Sequence, residues 1–452
     1  MSLRILLALL CFTSLFASCT WRQKVARSVQ TRFLGDSLLQ NAHAGIAFYD
    51  PQKGSYLFRH QADKFFVPAS NVKIVTCYAA MKLLGDSLAG IEWTETDTSI
   101  VLHPTGDPTL LHPDYSFQPV ADFMRNSPKP LYLDLSTWKT TSLGSGWSWG
   151  DYNEYYMPER SPLPVYGNVV KWYQTAGTKE RPTHPGDTVD VFVYSEPEVD
   201  WQVDFTPPSA SGAFHVQRDR DANRYRITEG RERSAVREVP FVTGTADAAL
   251  ELLDDTLGRR VGLLTSNINP AAKAPSSRQV LHSRPTDSML RPLMLRSDNF
   301  FAEQSLLMAG RKLTGVLDES EATSAIGKAL FANLPQPPRW ADGSGLSRYN
   351  LFTPMDMVWI LDRMRSEFGM ERVKGLFPTP GLGTLRSYSA VLKGSLHAKT
   401  GTLSGVVSLS GYLKTRKGRT LVFSILINNH RRQSQELRSL IERLLLDLWE
   451  KA

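Results

Sequence analysis

The sequence contains little cysteine, which limits how the chain can be cross-linked. Only Cys11, Cys19 and Cys77 occur among 452 residues, and the first two lie in an apolar N-terminal stretch. Cys77 lies in a second apolar segment, where a thiol usually behaves as a small buried hydrophobe. We therefore expect no disulfide within the chain, and we expect Cys77 to be structural rather than reactive.

The sequence also lacks an apolar run long enough for a membrane-spanning helix. Ile5–Leu15 follows the short basic segment Met1–Arg4 and has about half of the roughly 20 residues that a bilayer requires. This pattern predicts a signal peptide over residues 1–19 and export from the cell. The segment that ends at Cys19 resembles the bacterial lipobox, which implies lipidation of this cysteine and a membrane-anchored place on the periplasmic side of the cell envelope. An ordinary signal peptide with a chance cysteine is the alternative.

No concentrated patch of one charge stands out, although the net charge is +7. A nucleic-acid interface would need a basic stripe with interleaved aromatic residues, and the chain has no long Lys/Arg run. A glycine-rich phosphate loop is missing as well. His103, Asp107 and His112 can be imagined as a metal site, but the prolines and glycine around them favour a turn. We therefore predict no metal, no cofactor and no nucleic-acid partner.

The length suits two or three domains, and the residue pattern changes twice along the chain. Residues 20–95 and 246–452 carry helical periodicities and apolar strands, and we predict that they form one domain. Residues 96–245 are rich in proline, glycine and tryptophan and contain alternating runs. We predict that they form an inserted, mainly β region of one or two small domains. The expected fold class is mixed, α/β (α+β).

The spacing of apolar residues predicts the main elements. The predicted strands are Gly45–Tyr49, Ser55–His60, Val189–Tyr194, Val406–Lys414 and Thr420–Ile427. The predicted helices are Ser70–Leu84, Ala246–Leu257, Asn299–Ala309, Pro354–Phe368 and Gln433–Trp449.

The residues that can carry chemistry fall in three short motifs, Ser70–Lys73, Ser297–Asn299 and Lys399–Gly401. A Ser-x-x-Lys spacing arises by chance in a chain of this length, and Ser136–Lys139 is a second copy. In the first copy the serine opens an apolar helix, so we expect its hydroxyl near the positive helix end, with the lysine one turn on and on the same face. The second copy has no such helix, and we interpret it as the chance one.

A serine hydroxyl becomes a good nucleophile when a base takes its proton. Lys73 can act as that base for Ser70 if it can be neutral near physiological pH, which desolvation and a neighbouring cation both favour. Lys399 is the candidate cation. Ser297 can relay the proton towards the leaving amine, and Asn299 can hold Lys73 and the substrate amide through its side-chain dipoles.

The third motif is expected on an edge strand. Thr400, Gly401 and Thr402 would then offer backbone groups that pair with an extended peptide substrate. The backbone N–H groups of Ser70 and Thr402 would form an oxyanion hole. The predicted site therefore combines a nucleophile, a base, a cation and a docking strand.

In this order the three motifs resemble those of penicillin-binding proteins and class A β-lactamases. More than 200 residues separate Lys73 from Ser297. This spacing is similar to that of D-alanyl-D-alanine carboxypeptidase/endopeptidases, the low-molecular-mass class C penicillin-binding proteins of peptidase family S13. Gly106–Leu110, Trp147–Asp151 and Asp342–Asn350 are further matches, so the resemblance covers most of the chain from about residue 44 onward.

The resemblance implies a penicillin-binding, serine β-lactamase-like transpeptidase fold, in which helices flank an antiparallel sheet. It implies a serine-type D-Ala-D-Ala carboxypeptidase or endopeptidase in which Ser70 forms an acyl-enzyme with peptidoglycan stem peptides and with β-lactam antibiotics. It also implies that Asp151 and Arg348 lie near the cleft, where a charged pair can read the amine and carboxylate of the diamino acid in the wall peptide.

Three alternatives stay open. A class A β-lactamase uses an additional glutamate in a Glu-x-x-Leu-Asn stretch, which this chain does not contain. An esterase of the same fold would share the motifs but accept a wider range of substrates. A non-catalytic wall-binding lipoprotein would not need the complete set of Ser70, Lys73, Ser297, Asn299 and Lys399.

Overall fold

A computed structural model describes residues 21–176, 191–207, 211–265 and 277–451. The predicted signal peptide and its Cys19 lie outside the described residues. Within the described ranges, no helix is both long enough and apolar enough to cross a bilayer. Cys77 is buried, as predicted.

The strands occupy most of the predicted positions. In chain order they are β1 (His43–Asp50), β2 (Ser55–His60), β3 (Ser87–Glu95), β4 (Ile100–Pro104), β5 (Leu131–Leu133), β6 (Val169–Ala176), β7 (Val191–Glu196), β8 (Gln202–Thr206), β9 (His215–Arg218), β10 (Arg224–Thr228), β11 (Ser234–Pro240), β12 (Val261–Leu263), β13 (Gln279–Pro285), β14 (Leu396–Leu403), β15 (Val406–Lys414) and β16 (Thr420–Asn428). Of the predicted strand Val189–Tyr194, the first two residues lie outside the described ranges.

The five predicted helices are present, and four further helices were not predicted. Together they are α1 (Val72–Leu83), α2 (Pro119–Asn126), α3 (Asp247–Leu257), α4 (Thr286–Leu295), α5 (Asn299–Thr314), α6 (Glu319–Leu330), α7 (Pro354–Phe368), α8 (Met370–Leu376) and α9 (Ser434–Lys451). Helices and mainly antiparallel sheets together confirm the predicted mixed fold class.

The chain forms two compact units. The first contains the described residues up to Ala79, Leu290–Asp298 and the described residues from Ile326 onward. The second contains the described residues of Ala80–Met289 and Asn299–Ala325. These limits differ from those expected for the insert, 96–245, and the division into a catalytic domain and an insert stays a prediction.

The first unit is built on an antiparallel sheet with the strand order β14-β15-β16-β1-β2. β15 and β16 are buried along almost their whole length, which explains why both sequences are nearly free of charged residues. β1 pairs with β16 from His43↔Asn428 to Tyr49↔Val422, so the sheet joins the beginning and the end of the unit's sequence. β14 has a partner on one side only within the described sheet, which confirms the predicted edge strand.

Helix α9 shares its apolar core with this sheet. The buried residues of α9 recur at spacings of three and four, as expected of a helix with one apolar face. They lie in one cluster with β1, β14, β15 and β16, and they are Leu437, Leu440, Ile441, Leu444, Leu445 and Leu448. The edge strand β14 is thereby held by a core made partly from the last helix.

The second unit has a core of its own. It contains a five-stranded sheet in the order β12-β5-β4-β3-β13, together with the sheets β8-β10-β9 and β11-β6-β7. Trp172, Phe214, Tyr225 and Phe241 are large buried side chains of this core. The alternating exposure of β7 and β11 reflects sheets of which one side stays open to solvent.

Candidate active site

Ser70 lies in a short 3-10 turn, Ala69–Asn71, that leads directly into α1. Its side chain is partly exposed, whereas the flanking Ala69 and Asn71 are buried. Ala69 has a φ of 48°, which is unusual for a residue with a side chain. A strained backbone of this kind persists where the surrounding structure fixes it, and it often marks a functional site.

Two glycines press against the backbone at Ser70. A Cβ on Gly345 would lie 3.0 Å from the Ser70 nitrogen and closer still to the Ala69 carbonyl, and Gly345 itself has a φ of +86°. A Cβ on Gly401 would lie 3.0 Å from the same nitrogen and 2.7 Å from the Pro68 oxygen. Only glycine allows both close approaches without displacement of the backbone.

Lys73 lies one helical turn after Ser70 and is fully buried. Its Nζ donates to Ser70 Oγ at 3.2 Å and to the carbonyl oxygen of Ser344 at 2.5 Å. The predicted pairing of serine and lysine is therefore present in the structure. The carbonyl of Ser344 holds the amine beside the hydroxyl, and sequence reasoning did not find this contact.

A tight loop supports that carbonyl. The carboxylate of Asp342 accepts from the Gly345 nitrogen at 2.8 Å, from the Ser347 nitrogen at 2.6 Å and from Asn350 Nδ2 at 2.7 Å. Thr76 Oγ1, on α1, donates to the Gly343 carbonyl at 2.7 Å. The segment Asp342–Asn350 matches the family, but its sequence alone does not indicate that its backbone contacts Lys73.

Lys399 forms a second buried contact. Its Nζ donates to Ser297 Oγ and to the Thr400 carbonyl, both at 2.8 Å, and its side chain is fully buried. Burial, followed by the positive charge of Lys73, holds the pKa of Lys399 well below the ordinary lysine value. Among the described residues, no carboxylate lies within 4.0 Å of this ammonium group. This contact joins the second and third motifs, and it was not predicted.

The edge strand is tied to the turn that carries Ser70. Asn71 Nδ2 donates to the Lys399 carbonyl at 3.0 Å, and Ser408 Oγ, on β15, donates to the Pro68 carbonyl at 2.7 Å. Gly401 pairs with Ser408 across the strands. The edge strand and the turn at Ser70 therefore keep a fixed register, and these contacts of Asn71 and Ser408 were not predicted.

The other predicted residues lie as follows. Asn299 opens α5 in the second unit, and its Nδ2 donates to the Tyr156 carbonyl at 2.7 Å. Asp151, also in the second unit, is the last residue of the 3-10 turn Trp149–Asp151. Its carboxylate lies close enough to Tyr156 to affect the phenol: burial, followed by the charge of Asp151, raises the pKa of Tyr156 to about 12. Arg348, in the first unit, is exposed and donates to the Ser404 carbonyl at 2.8 Å. Their roles in substrate binding stay predictions.

The histidines and aspartate of the imagined metal site have structural partners. His103 Nδ1 lies 3.0 Å from Asp134 Oδ2, and burial lowers the pKa of His103. Asp107 accepts hydrogen bonds from Ser283 Oγ and from the Thr109 nitrogen. In the part of the chain that the structure describes, no group of three or more His, Cys, Asp or Glu residues could hold a metal ion.

A comparison with family models finds one that matches residues 26–448, which is most of the chain. Its description is the D-Ala-D-Ala carboxypeptidase 3 (S13) family. The match confirms the resemblance that the three motifs and their spacing indicated.

Similar proteins carry the same description. The chain is 24% identical to D-alanyl-D-alanine carboxypeptidase DacB of Haemophilus influenzae, over 88% of each chain. It is 27% identical to a D-alanyl-D-alanine carboxypeptidase of Actinomadura sp., over 88% of this chain and 80% of the relative. Among solved structures, penicillin binding protein 4 (dacB) of Haemophilus influenzae has a TM-score of 0.72 at 22% identity and covers 91% of this chain and 97% of its own. That likeness confirms the fold.

Proposed function

We propose, from the premise that this chain belongs to the D-Ala-D-Ala carboxypeptidase 3 (S13) family, that Ser70 is the nucleophile through which it acts. The protein is a serine peptidase of the D-alanyl-D-alanine carboxypeptidase type and binds penicillin, as the sequence predicted. The observation that carries the assignment of Ser70 is its hydroxyl, held 3.2 Å from the amine of the fully buried Lys73.

In the proposed reaction, Lys73 takes the proton of Ser70 as Oγ attacks the carbonyl carbon of the penultimate D-alanine. The carbonyl oxygen becomes an oxyanion, which the backbone N–H groups of Ser70 and Thr402 stabilise. Ser297 relays a proton to the leaving amine as the C–N bond breaks. Water then attacks the Ser70 ester and releases the shortened peptide.

The charge state of the two lysines follows from their surroundings. Burial and mutual repulsion oppose a pair in which both amines are protonated, and the lowered pKa of Lys399 is one expression of this. We propose that one amine is neutral when Ser70 reacts. Lys73 is proposed as the neutral amine and the base because its Nζ lies 3.2 Å from Ser70 Oγ, and the single proton that the pair retains then resides on Lys399 beside Ser297.

Two further residues are proposed to bind the side chain of the substrate. Arg348 and Asp151 would contact the carboxylate and amine of the diamino acid in the stem peptide, a role that rests on their match to family positions. Neutralising either should raise KM for wall peptides several-fold while penicillin acylation changes little, because penicillin lacks that side chain. Equal losses on both substrates would instead show a structural role for the residue.

The proposed location is the periplasmic side of the envelope, with a lipid anchor at Cys19. The support is the sequence of residues 1–19 alone. Cys19→Ala should move the protein from the membrane fraction to the soluble fraction, and Cys11→Ala is the matched control. An unchanged membrane fraction for Cys19→Ala would contradict the anchor and leave the catalytic assignment intact.

Covalent labelling tests the nucleophile. The wild-type protein is expected to take up a fluorescent penicillin and to keep it through a denaturing gel, because a β-lactam leaves Ser70 as a stable ester. Ser70→Ala should abolish the label. Ser136→Ala changes the serine of the second Ser-x-x-Lys copy and should label like wild type, whereas a labelled Ser70→Ala protein would overturn the assignment.

Digestion of purified peptidoglycan fragments tests the reaction itself. Released D-alanine measures carboxypeptidase activity, and loss of cross-linked dimers measures endopeptidase activity. Rapid turnover of penicillin without either peptide product would favour the β-lactamase alternative. A protein that binds the fragments but leaves them uncut would favour the non-catalytic one.

A further inference from the structure

The excess positive charge of the chain lies in two short segments of the first unit, residues 22–27 and 414–419. The first contains three Lys or Arg residues and the second contains four, and neither contains an Asp or Glu. Of the 52 Lys and Arg residues in the chain, the 45 that lie elsewhere equal the 45 Asp and Glu residues in number. The two segments therefore account for the whole net charge of +7.

The fold brings these two segments together, although they are far apart in sequence. The second segment spans the turn between β15 and β16. Cζ of Arg419, in this turn, lies 4.6 Å from the centroid of the buried Trp21 ring. The side chains of Lys24 and Lys417 are so close that the charge of Lys24 lowers the pKa of Lys417. The basic residues of the two segments thus form one surface, which we call the basic face.

The cations of the basic face lack acidic partners. Among the described residues, no carboxylate lies within 4.0 Å of the charged groups of Lys24, Arg416, Lys417 or Arg419. Lys417 Nζ donates instead to the uncharged carbonyl of Lys451, at the end of α9, at 3.1 Å. Cations that repel one another oppose the compact state, and an external anion would relieve that repulsion. The basic face is therefore suited to an anionic partner.

The position of the basic face favours a membrane as that partner. Cys19, the proposed site of the lipid, precedes Trp21 by two residues, which span at most about 7 Å. This length is shorter than the screening distance of about 10 Å over which charges act at moderate ionic strength. A lipid on Cys19 would therefore hold the basic face within electrostatic reach of phospholipid headgroups.

We propose that the basic face binds the anionic headgroups of a phospholipid membrane and so orients the first unit on its anchor. Ser70 lies towards the other end of the sheet, because Gly401, which packs against the Ser70 backbone, pairs with Ser408. Ser408 precedes Lys414 by six residues of β15, which span about 20 Å. The bound turn would thus hold the nucleophile up to about 20 Å from the headgroups. The orientation rests on the proposed anchor at Cys19, whereas binding by the basic face does not require the lipid.

The test measures how the mature chain without lipid, from Thr20 onward, sediments with lipid vesicles. This chain keeps every described residue. It should bind vesicles of phosphatidylcholine and phosphatidylglycerol in equal parts but not vesicles of phosphatidylcholine alone, and added salt should weaken the binding. Lys24→Gln/Lys417→Gln should lower the partition coefficient by about twentyfold, because each cation near an anionic surface contributes about fivefold. Lys24→Arg/Lys417→Arg keeps both charges and should bind like the wild-type chain.

Arg431→Gln/Arg432→Gln is the matched control, because it removes the same charge from two exposed arginines just before α9. The helix separates them from Lys451 at its other end by about 27 Å. This control should change the partition coefficient by less than about twofold, since charges so far from the surface are screened. Penicillin acylation in solution should stay unchanged in all of these variants.

Three outcomes would overturn the inference. Equal losses in Lys24→Gln/Lys417→Gln and in the control would show that net charge alone governs binding. Equal binding to neutral and anionic vesicles would exclude the headgroup charge as the ligand. Binding to heparin, a soluble polyanion, without binding to anionic vesicles would favour a different macromolecule. An unchanged membrane fraction for Cys19→Ala would contradict the anchor alone, because the vesicle assay uses a chain without lipid.

Discussion

Ser70–Lys73 and Ser136–Lys139 have the same spacing of serine and lysine but different surroundings. In the first, a buried lysine points its amine at the serine hydroxyl from the next turn of α1. In the second, both side chains are exposed, and the backbone nitrogen of Ser136 donates to Asp134 Oδ1 at 2.8 Å in a local turn. The backbone of Lys139 donates to the Leu317 carbonyl, which fixes the chain but not the amine.

This difference shows that the Ser-x-x-Lys spacing allows a contact between serine and lysine but does not by itself produce one. Helical geometry brings the lysine of the first segment onto the face of the serine, and burial disfavours a charged amine. Glycine at positions 345 and 401 then lets neighbouring backbone approach the backbone of Ser70. The exposed turn at Ser136 has none of these three features, and its lysine lies at the surface.

The largest expected difference between the two segments is in penicillin acylation by the variants Lys73→Arg and Lys139→Arg, measured side by side. Arginine keeps its proton at any working pH, so the first variant retains the charge but loses the base. General-base help is typically worth about 10²–10⁴-fold, and penicillin acylation should therefore fall by at least about a hundredfold. Lys139→Arg should acylate like wild type. Stopped-flow or gel-based acylation rates on protein with an unchanged circular dichroism spectrum would decide, and a mild Lys73→Arg would remove Lys73 from the role of base.

A smaller effect is expected when the packing against Ser70 is disturbed. Gly345→Ala would place a methyl group against the Ala69 carbonyl and the Ser70 nitrogen, at a φ of +86°. Gly369 has a similar φ of +76°, but a Cβ added there would have no atom within 4 Å. Gly369→Ala should therefore lose stability only through the unfavourable backbone conformation and not through a steric clash. We expect acylation by Gly345→Ala to fall about tenfold, and its free energy of unfolding to fall by about 2 kcal/mol more than that of Gly369→Ala. Equal losses in the two variants would show that close packing at Ser70 is not what distinguishes the first segment.

The smallest effect concerns stability and pH. Lys399 is a buried amine whose pKa lies well below its ordinary value of 10.5, so folding opposes its protonation. Lys399→Met should abolish acylation but raise the free energy of unfolding by about 1–2 kcal/mol at neutral pH, whereas the exposed Lys139→Met should change it by less than about 0.5 kcal/mol.

The sign of the pH dependence follows from proton binding. In the folded protein the pKa of Lys399 is lowered, whereas in the unfolded chain it is about 10.5. At pH values between these two, the unfolded chain binds more protons than the folded protein, so the free energy of unfolding of the wild-type protein rises with pH. The advantage of Lys399→Met should therefore shrink as pH rises through this window. Denaturant unfolding at several pH values would measure it, and an advantage that grows with pH would contradict the assigned direction.

Much of this architecture could be predicted from the sequence because its signals are local. The alternation in β2 and the helical spacing in α7 each lie within one short window, and the three motifs carry their chemistry in adjacent residues. The contact of Lys73 with the carbonyl of Ser344 could not be predicted, because any residue has a carbonyl and 271 positions separate the two. The close approach of Gly345 is equally a property of the folded backbone.

The positions of Asn299 and Asp151 show a further limit of prediction from sequence motifs. Both could be assigned from motif matches, but a match does not say which neighbour a side chain contacts in its own unit. The bond from Asn299 to the Tyr156 carbonyl and the effect of Asp151 on Tyr156 link two segments that the sequence treats as unrelated.

The pairing of β1 with β16 has a consequence for how the protein is made. His43 is translated long before its partner Asn428, and β16 is in turn needed to seat β15 and the edge strand β14. A ribosome must therefore finish nearly the whole chain before this sheet can close, and contacts so distant in sequence form slowly. Until then the segment around Ser70 has neither Lys399 nor the paired edge strand beside it. The unfinished chain therefore cannot yet hold the turn at Ser70 against its strand.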